Sequence, residues 1–328
     1  VLLLRQVDDF LIACSDESIA KRIFDIIGSK LKLPTETDIP FKYLGPATDY
    51  NGVDLIQTRE YIQISCANYI DRVNRSHGWD SPSQDEIQSR PTSPLPDNAV
   101  SLMFNVTGYP EDTPAFHALA KEQGFSYRTL LGELLYAYVT CRPDIGYSVT
   151  TLSKFSTCPA RLHYRYLKQV TTYLRRTKHW GIRYRKSNVH LHTHLPEGDY
   201  SDCPMPYPSN LPAFPELPSG PTISCLVDAA FGNVKTKRKS TTGFAVMLAG
   251  AAVVYRSKTQ TQTALSSTEA EFYAAVSVAK IVRYLRSILA DLGFPQSRAT
   301  LIYEDNDPTI KIISSGVPTE RSRHIAIP

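Results

Sequence analysis

Hydrophobic and polar positions follow a strand-like pattern at the start of the chain. Two apolar runs, Val1–Leu4 and Phe10–Ala13, flank a polar stretch, which predicts a β-hairpin with Asp8 and Asp9 at or near its tip. From Ser15 onward the apolar positions take helical spacing, and this predicts a helix that ends before Pro34. The pattern then predicts three short strands and a further helix, at Phe41–Tyr50, Gly52–Gln57, Glu60–Ile64 and Cys66–Ser76.

The middle of the chain alternates between proline-rich and helical stretches. Residues 81–124 are rich in Pro and Ser with weak periodicity, and we expect a connector that is at best partly ordered. Helical spacing then predicts a helix over Phe125–Cys141. Arg142-Pro143-Asp144 breaks this helix and starts a second one, and a third helix is predicted over Ala160–Lys178. Residues 196–221 hold eight of the 23 prolines, which indicates a stiff linker and the clearest domain boundary.

The last hundred residues predict a mixed sheet backed by helices. The order of elements is β-β-β-α-β-α, with a first strand that ends at Asp228 and a later strand that ends at Asp305. The whole chain therefore belongs to the α/β (α+β) class. We predict five segments, with bounds 1–80, 81–124, 125–195, 196–221 and 222–328.

Composition excludes several classes of protein. Apolar residues make up 42% and charged residues 21% of the 328 residues, as in ordinary globular proteins. No apolar run reaches the ~18 residues of a membrane span, so we expect no membrane partner. The six cysteines are far apart without a CxxC pair, which argues against a zinc ribbon or a disulfide scaffold. This favours a reducing, intracellular compartment, with cytoplasm and nucleus left open.

Charge is distributed unevenly, although the net charge is only +4. The stretch Ile145–Pro196 has no acidic residue and ten basic ones, and aromatic residues are interleaved with them. A solvated basic helix is one interpretation. We favour nucleic-acid binding, because a phosphate backbone suits a surface of one sign beside aromatic faces. Three of the basic residues lie at the end of the predicted helix: Arg175, Arg176 and Lys178.

Three carboxylates could meet at one end of the C-terminal sheet. Asp228 and Asp305 each follow a predicted strand, and the long helix offers Glu269 or Glu271. Steps of four and three residues from Glu271 reach only apolar side chains as far as Leu289, so Glu271 lies on the packed face. The same steps from Glu269 reach mostly polar side chains, which predicts a solvent face.

An acid at the end of a buried stripe needs a compensating charge, since burial of an unpaired charge is costly. Three convergent carboxylates suit Mg²⁺ or Mn²⁺, and two such ions could hydrolyse a phosphodiester. Alternatively, the two aspartates are turn residues and the glutamate is an ordinary helix N-terminal acid. Spacing alone leaves both interpretations open. Likewise, Asp8 and Asp9 could present ligands to a metal-bound triphosphate or form a plain turn.

Several motifs together resemble one known family. Gln6–Ala13 resembles the Tyr-Val-Asp-Asp palm hairpin of reverse transcriptases, and the segments that resemble the following regions are Phe41–Gly45, Tyr127–Tyr136 and Thr140–Ile145. The segments that resemble the ribonuclease H of the same polyprotein are Lys239–Gly243, Ala264–Phe272, Tyr303–Asn306 and Arg323–Ile325. The family is the copia-type long-terminal-repeat retrotransposon Pol polyprotein, and the resemblance spans nearly the whole chain.

The resemblance implies a fold, an activity and partners. It implies a partial reverse-transcriptase palm and connection region, then a ribonuclease H-like domain that hydrolyses RNA in RNA–DNA hybrids with Mg²⁺ or Mn²⁺. The partners would be a hybrid or other nucleic acid and the rest of the Pol polyprotein. Asp228, Glu271 and Asp305 would hold the ions, and Asp8 and Asp9 would be polymerase carboxylates. Basic residues in the turn after the first strand would contact the backbone, unless they form a solvated loop: Lys235, Lys237, Arg238 and Lys239.

The chain departs from the family pattern in three places. Gln6 stands where the family usually has Tyr, and the upstream palm acid and fingers are absent, so we expect no polymerisation. The family's closing His-Ile-Asp is His324-Ile325-Ala326 here, and a fourth carboxylate is therefore missing. The alternative to a working hydrolase is a catalytically dead remnant that still binds nucleic acid.

Overall fold

The computed structural model describes residues 1–7, 9–30, 43–79, 81, 91–185, 222–234 and 238–315. The strands are β1 (Leu2–Gln6), β2 (Asp9–Ala13), β3 (Asp49–Tyr50), β4 (Val53–Gln57), β5 (Tyr61–Ser65), β6 (Gly181–Arg185), β7 (Ile223–Val234), β8 (Lys239–Leu248), β9 (Ala251–Thr259) and β10 (Leu301–Tyr303). The helices are α1 (Glu17–Lys30), α2 (Ala67–Ser76), α3 (Ala99–Phe104), α4 (Pro114–Gln123), α5 (Tyr127–Thr140), α6 (Gly146–Leu152), α7 (Arg161–Arg176), α8 (Ser267–Asp291) and α9 (Asp307–Ser315). This mixture of helices and sheets confirms the α+β class.

The predicted N-terminal hairpin is confirmed. Strands β1 and β2 pair antiparallel, with Gln6 opposite Asp9 next to the turn. Val7 has a positive φ of 56°, a conformation that belongs to tight turns. The helix predicted after Ser15 is α1. Asp8 and the predicted strand start at Phe41 lie outside the described residues.

Residues 43–185, where described, form a unit that we call the central unit. Its antiparallel sheet has the strand order β3-β4-β5-β6. Helices α2 to α7 lie between β5 and β6 in the sequence. One buried cluster contains side chains from α2, α5 and α7, with Ile70, Leu134 and Leu167 among its members. The central unit is therefore held by a core shared between helices and one sheet.

The segment predicted as a partly ordered connector contains two helices. In α4, Thr113 caps the first turn by accepting a hydrogen bond from the amide of Phe116, at 3.2 Å. Gly124 ends the helix with a φ of 76°, the left-handed conformation that glycine adopts without strain. Leu119 and Met103 of the neighbouring α3 are buried in the core. The expectation was wrong here because capping and a few apolar anchors outweighed the weak periodicity.

The tyrosines interleaved with basic residues are mostly core residues. Tyr164, Tyr166 and Tyr173 on α7 are at most 5% exposed, so their rings cannot stack on bases. Tyr164 packs edge-on against Tyr127, at 5.1 Å between ring centroids. Trp180 differs, because it is 59% exposed. The prediction of an aromatic surface beside the basic residues is therefore wrong for the three helical tyrosines, which occupy the buried stripe of an amphipathic helix.

Residues 222–315, where described, form a second unit that we call the C-terminal unit. Its sheet has the order β10-β7-β8-β9, in which β10 runs parallel to β7 and the other pairs are antiparallel. Helix α8 packs on β7 and β8 through a separate buried cluster that includes Val227, Val246, Ala274 and Val278. The predicted mixed sheet backed by helices is confirmed.

The two units touch along β9. The hydroxyl of Tyr184 in the central unit donates to the carbonyl oxygen of Ala252, at 3.0 Å. The amide of Arg185 donates to the carbonyl oxygen of Ala249, also at 3.0 Å. Ala251 is buried within the cluster of the central unit. Strand β9 is thus shared between both cores. Among the described residues, no helix has the length and apolar character needed to cross a membrane.

Candidate metal centre

The centre lies where a short strand ends beside a long one. Strand β10 pairs with β7 only as far as Tyr303 opposite Leu226, whereas β7 continues to Val234. Asp228 therefore lies within β7, and the prediction that it ends its strand was wrong. The strand that ends at the centre is β10.

Three carboxylates converge there, as predicted. One ligand oxygen from each of Asp228, Glu271 and Asp305 lies within 4.8 Å of the other two. Glu271 is buried, while both aspartates are exposed. The arrangement is an acidic cluster in which Glu271 is buried in the protein and the two aspartates are open to solvent.

Glu271 is a buried acid with one carboxylate oxygen that has no partner. Its side chain is 6% exposed, and its Oε2 atom is buried without a hydrogen-bond partner. Burial and the nearby carboxylates of Glu304, Asp228 and Asp305 together raise the pKa of Glu271 to about 8, although a hydrogen bond from the backbone of Ala229 opposes this. A cation at the cluster would supply the missing partner for the ionised form.

Helix contacts hold the cluster in shape. Asn306 caps α9 by accepting from the amide of Thr309, at 3.0 Å, and the hydroxyl of Thr309 donates to the carbonyl oxygen of Thr268, at 3.1 Å. The loop that carries Asp305 is thereby tied to Thr268 in the first turn of α8, three residues before Glu271. Three carboxylates with a buried, unpartnered oxygen fit a hard divalent cation such as Mg²⁺ or Mn²⁺.

Glu269 serves the helix and does not join the cluster. Its amide donates to the hydroxyl of Ser266, and its carboxylate accepts from the amide of Leu265 and from the hydroxyl of Tyr273, both at 2.6 Å. The choice of Glu271 over Glu269 as the cluster residue agrees with this geometry. The predicted solvent position of Glu269 was wrong, because its side chain is 4% exposed and fully engaged as a helix cap.

The basic residues after β7 are only partly described. Lys235 and Lys237 lie outside the described residues. Arg238 is exposed, in the turn before β8. The ammonium group of Lys239 donates to the carbonyl oxygen of Thr261, at 2.5 Å, so this lysine links the start of β8 to the loop after β9.

Of the three basic residues at the end of α7, two contact other parts of the protein and one is exposed. Arg175 donates to the carbonyl oxygen of Trp79, at 2.7 Å, and Lys178 forms an ion pair with Asp71, at 2.8 Å. Arg176 is exposed. The structure therefore gives two of these three residues an internal role, and it leaves Arg176 facing solvent.

Asp9 of the N-terminal hairpin is not part of the centre. It is exposed at the start of β2, whereas Asp8 lies outside the described residues. Among the residues that the structure describes, the cluster consists of Asp228, Glu271 and Asp305.

A cleft leads from the cluster to the central unit. It has a volume of about 420 Å³, and Asp228, Gly243 and Ser257 line one side while Tyr138, Asp144 and Tyr147 line the other. Tyr147 is 41% exposed. A ligand that reaches Asp228 can therefore extend along the boundary between the two units.

Glu304 is a partly buried acid that the sequence reasoning did not consider. It precedes Asp305 directly, and its Oε2 atom is buried without a hydrogen-bond partner, as is the Oε2 atom of Glu271. Its position between β10 and a known cluster acid was the available signal. Residue type alone could not show that the side chain turns inward.

Fold and cluster define an α+β protein with a carboxylate site suited to divalent cations. Comparison with known proteins shows which proteins the chain is similar to. Across its full length the chain is 27% identical to the retrovirus-related Pol polyprotein from transposon TNT 1-94 of Nicotiana tabacum. It is 25% and 24% identical, also over its full length, to the corresponding polyproteins from transposons RE1 and RE2 of Arabidopsis thaliana. These full-length matches support a fragment of a retrotransposon Pol polyprotein.

The chain spans about a fifth of the length of these relatives, with 21%, 18% and 18% of them covered. No protein-family model matches the chain. No solved structure matches it either. The similarity to Pol polyproteins therefore rests on the full-length matches to the three plant polyproteins.

Proposed function

We propose that the chain comprises the C-terminal part of a reverse transcriptase followed by a ribonuclease H-like domain. The activity that we assign to it is metal-dependent hydrolysis of the RNA strand in RNA–DNA hybrids. The full-length similarity to retrovirus-related Pol polyproteins supports the general assignment. The convergence of Asp228, Glu271 and Asp305 within 4.8 Å is the observation that carries the specific one.

Each cluster residue has a distinct part in holding Mg²⁺ or Mn²⁺. Asp228 and Asp305 are exposed and can bind an ion and face a substrate, whereas Glu271 supplies a buried oxygen at the base of the site. Divalent cations in such a centre supply an activated water and charge stabilisation at the leaving oxygen of a phosphodiester. The loop contact through Thr309 keeps the carboxylates in place before any ion binds.

The substrate class follows from the surroundings of the cluster. A nucleic acid whose scissile phosphate lies at Asp228 could continue through the cleft toward Tyr147. The exposed Arg238 and Arg176 could contact its backbone, and Lys235 and Lys237 are further candidates for this role. Phosphate contacts of this kind give affinity without sequence preference, as a hybrid nuclease requires.

The test is cleavage of a labelled RNA–DNA hybrid in Mg²⁺ and, separately, in Mn²⁺. We expect cleavage by the unaltered chain and its loss in Asp305→Asn. Asp307→Asn is the matched control, because Asp307 is exposed two residues away and is not part of the cluster. Equal cleavage by Asp305→Asn would overturn the assignment of the site.

A second candidate is a remnant that binds nucleic acid and no longer cleaves it. The observation in its favour is Ala326, which replaces the closing carboxylate of the family pattern. This candidate predicts salt-sensitive binding of hybrids with no cleavage in either ion. Asp8 and Asp9 would be remnants of a polymerase site under both candidates, and we expect no polymerisation by this chain.

A further inference from the structure

We propose that Tyr147 of the central unit is a substrate-binding residue, whose ring packs on the nucleoside part of the hybrid beside the metal centre. The inference rests on the proposed function, because it names a contact that the same substrate makes. It assigns part of the substrate site to the central unit, although the three cluster carboxylates belong to the C-terminal unit. The observation that carries it is the cleft of about 420 Å³, which Asp228 and Tyr147 both line.

The floor of the cleft is one face of the C-terminal sheet. Along β7, Val227 and Ala229 are buried in the cluster shared with α8, whereas Asp228 is exposed on the other face. Asp228 lies opposite Gly243 in β8, and Gly243 lies opposite Ser257 in β9. Because neighbouring strands are about 4.8 Å apart, this row is about 10 Å long. One strand of a duplex advances about 3.4 Å per nucleotide, so a strand with a phosphate at Asp228 reaches Ser257 within a few nucleotides.

Helix α6 of the central unit forms the wall of the cleft. Thr150 on α6 lies at the far end of the row, since its hydroxyl oxygen is 3.4 Å from that of Ser257. Tyr147 precedes Thr150 by three residues, and residues at this spacing share one helix face. Tyr147 is 41% exposed, although most of α6 is buried, at Gly146, Ser148, Val149, Thr151 and Leu152. A large aromatic ring therefore borders the cleft at a position that the packing of α6 does not explain.

The charges of the cleft favour the nucleoside part of a ligand over its phosphates. Asp144 lines the cleft with a carboxylate that is paired with the guanidinium of Arg142, at 2.6 Å. Of the described residues that line the cleft, Arg256 alone is basic. Its guanidinium carbon lies 5.8 Å from the ring centroid of Phe244, which is buried on the face that α8 covers. Without a free cation, the exposed ring of Tyr147 suits stacking on a base or packing on a sugar, contacts that tolerate any sequence.

The experiment measures binding of a labelled RNA–DNA hybrid to the full chain by fluorescence anisotropy, in a chelator so that no strand is cleaved. Tyr147→Ala and Tyr147→Phe are compared with the unaltered chain. Tyr109→Ala is the matched control, because Tyr109 is 40% exposed in the same unit and does not line the cleft. We expect the dissociation constant to rise at least about fivefold in Tyr147→Ala and less than about twofold in Tyr147→Phe, which keeps the ring.

Gly243→Val tests the floor of the cleft independently. A Cβ atom at Gly243 meets only the carbonyl oxygen of Asp228, at 3.8 Å, so the strand has space for a side chain there. Valine suits a strand, and its side chain would occupy the floor that the substrate needs. We expect weaker hybrid binding with a melting temperature at or above that of the unaltered chain. A folded Gly243→Val that binds the hybrid as tightly as the unaltered chain would exclude the cleft as the binding site.

Two results for Tyr147 would overturn the inference. One is an equal dissociation constant for Tyr147→Ala and Tyr109→Ala, and the other is an equal loss of binding in Tyr147→Phe and Tyr147→Ala. Failure of the proposed function has a different signature. If the hybrid bound with the expected dependence on Tyr147 but was not cleaved in Mg²⁺ or Mn²⁺, hydrolysis would be rejected and the contact would stand. If the unaltered chain bound no hybrid, both proposals would fall.

Discussion

The hydroxyl oxygen of Tyr138 accepts a hydrogen bond from the amide of Ser257, at 3.0 Å, although the two residues are 119 positions apart. Tyr138 belongs to α5 of the central unit and Ser257 to β9 of the C-terminal unit. Its ring also packs against Gly146 at the start of α6, so closely that a Cβ atom at Gly146 would overlap the ring. One tyrosine therefore couples the packing of the helices to the position of the sheet that carries the metal centre.

Gly146→Ala should destabilise the protein by about 1–3 kcal/mol, because the added methyl group displaces the ring of Tyr138. Gly132→Ala is the matched control, since a Cβ atom there meets nothing within 4 Å. Gly132 lies inside α5, and alanine should stabilise the helix by about 0.5–1 kcal/mol. Urea denaturation of both variants checks this, and equal effects of the same sign would contradict it.

Substitutions of Glu269 and Glu271 on α8 should have different effects on the free energy of unfolding and on stabilisation by Mn²⁺. Glu269→Ala removes a cap that receives two hydrogen bonds, and we expect a loss of about 2 kcal/mol in the free energy of unfolding. Glu271→Gln should instead raise the stability in a chelator at pH 8.5, above its raised pKa, and abolish protection by Mn²⁺. Chemical denaturation with and without Mn²⁺ measures both. A stabilising Glu269→Ala would be incompatible with the cap.

His163 should make the protein sensitive to mild acid. It is 1% exposed, its Nδ1 atom accepts from the amide of Ala160, and its Nε2 atom lies 2.9 Å from the carbonyl oxygen of Met103. Burial lowers the pKa of this imidazole below 6.5, while the contact with Met103 opposes the shift. Between the two pKa values of His163, the unfolded chain binds a proton that the folded chain does not. The contribution of neutral His163 to the free energy of unfolding is therefore fully present above pH 6.5 and should be lost as the pH falls through the folded-state pKa.

The measurement compares urea unfolding at pH 7.5 and pH 5.5 for the unaltered chain and for His163→Gln. The variant should be less stable at pH 7.5, since it loses the stacking of the imidazole on the ring of Phe155, yet it should show a smaller loss on acidification. Identical pH dependence in both proteins would exclude His163 as the cause.

Arg176 and Lys178 should differ in their effect on nucleic-acid binding. Arg176 is exposed, whereas Lys178 is ion-paired with Asp71. If the end of α7 contacts a phosphate, Arg176→Ala should reduce the slope of log affinity against log salt by about one, and Lys178→Ala should change it less. Fluorescence anisotropy with an RNA–DNA hybrid at several salt concentrations gives the slopes. A larger change in Lys178→Ala would reverse the assignment.

The sequence could predict the parts of the fold that rest on long periodic patterns. The apolar stripe of α8 distinguished Glu271 from Glu269 as the cluster residue because the stripe continues through Val282 to Leu289. The order of elements after residue 222 likewise indicated the mixed sheet. These features depend on local regularity, which a single sequence displays.

Other features depend on contacts between distant residues. Asp228 lies within β7 because the strand continues through Ala229 and Ala230, whereas its neighbour β10 stops early. The tyrosines of α7 are buried since the helix packs on both sides within the central unit. The inward turn of Glu304 depends on backbone geometry after β10. None of these can be read from residue type or spacing alone.

Strand β9 forms one edge of the C-terminal sheet, and the central unit shields it through contacts at Ala249, Ala252 and Ser257. An open edge of a sheet is a template for pairing with other chains. Expression of the C-terminal unit alone would expose this edge together with Ala251 and Tyr255, and we expect such a product to aggregate. The central unit thus protects the edge of the C-terminal sheet from association with other chains. Both units are therefore best produced as one polypeptide.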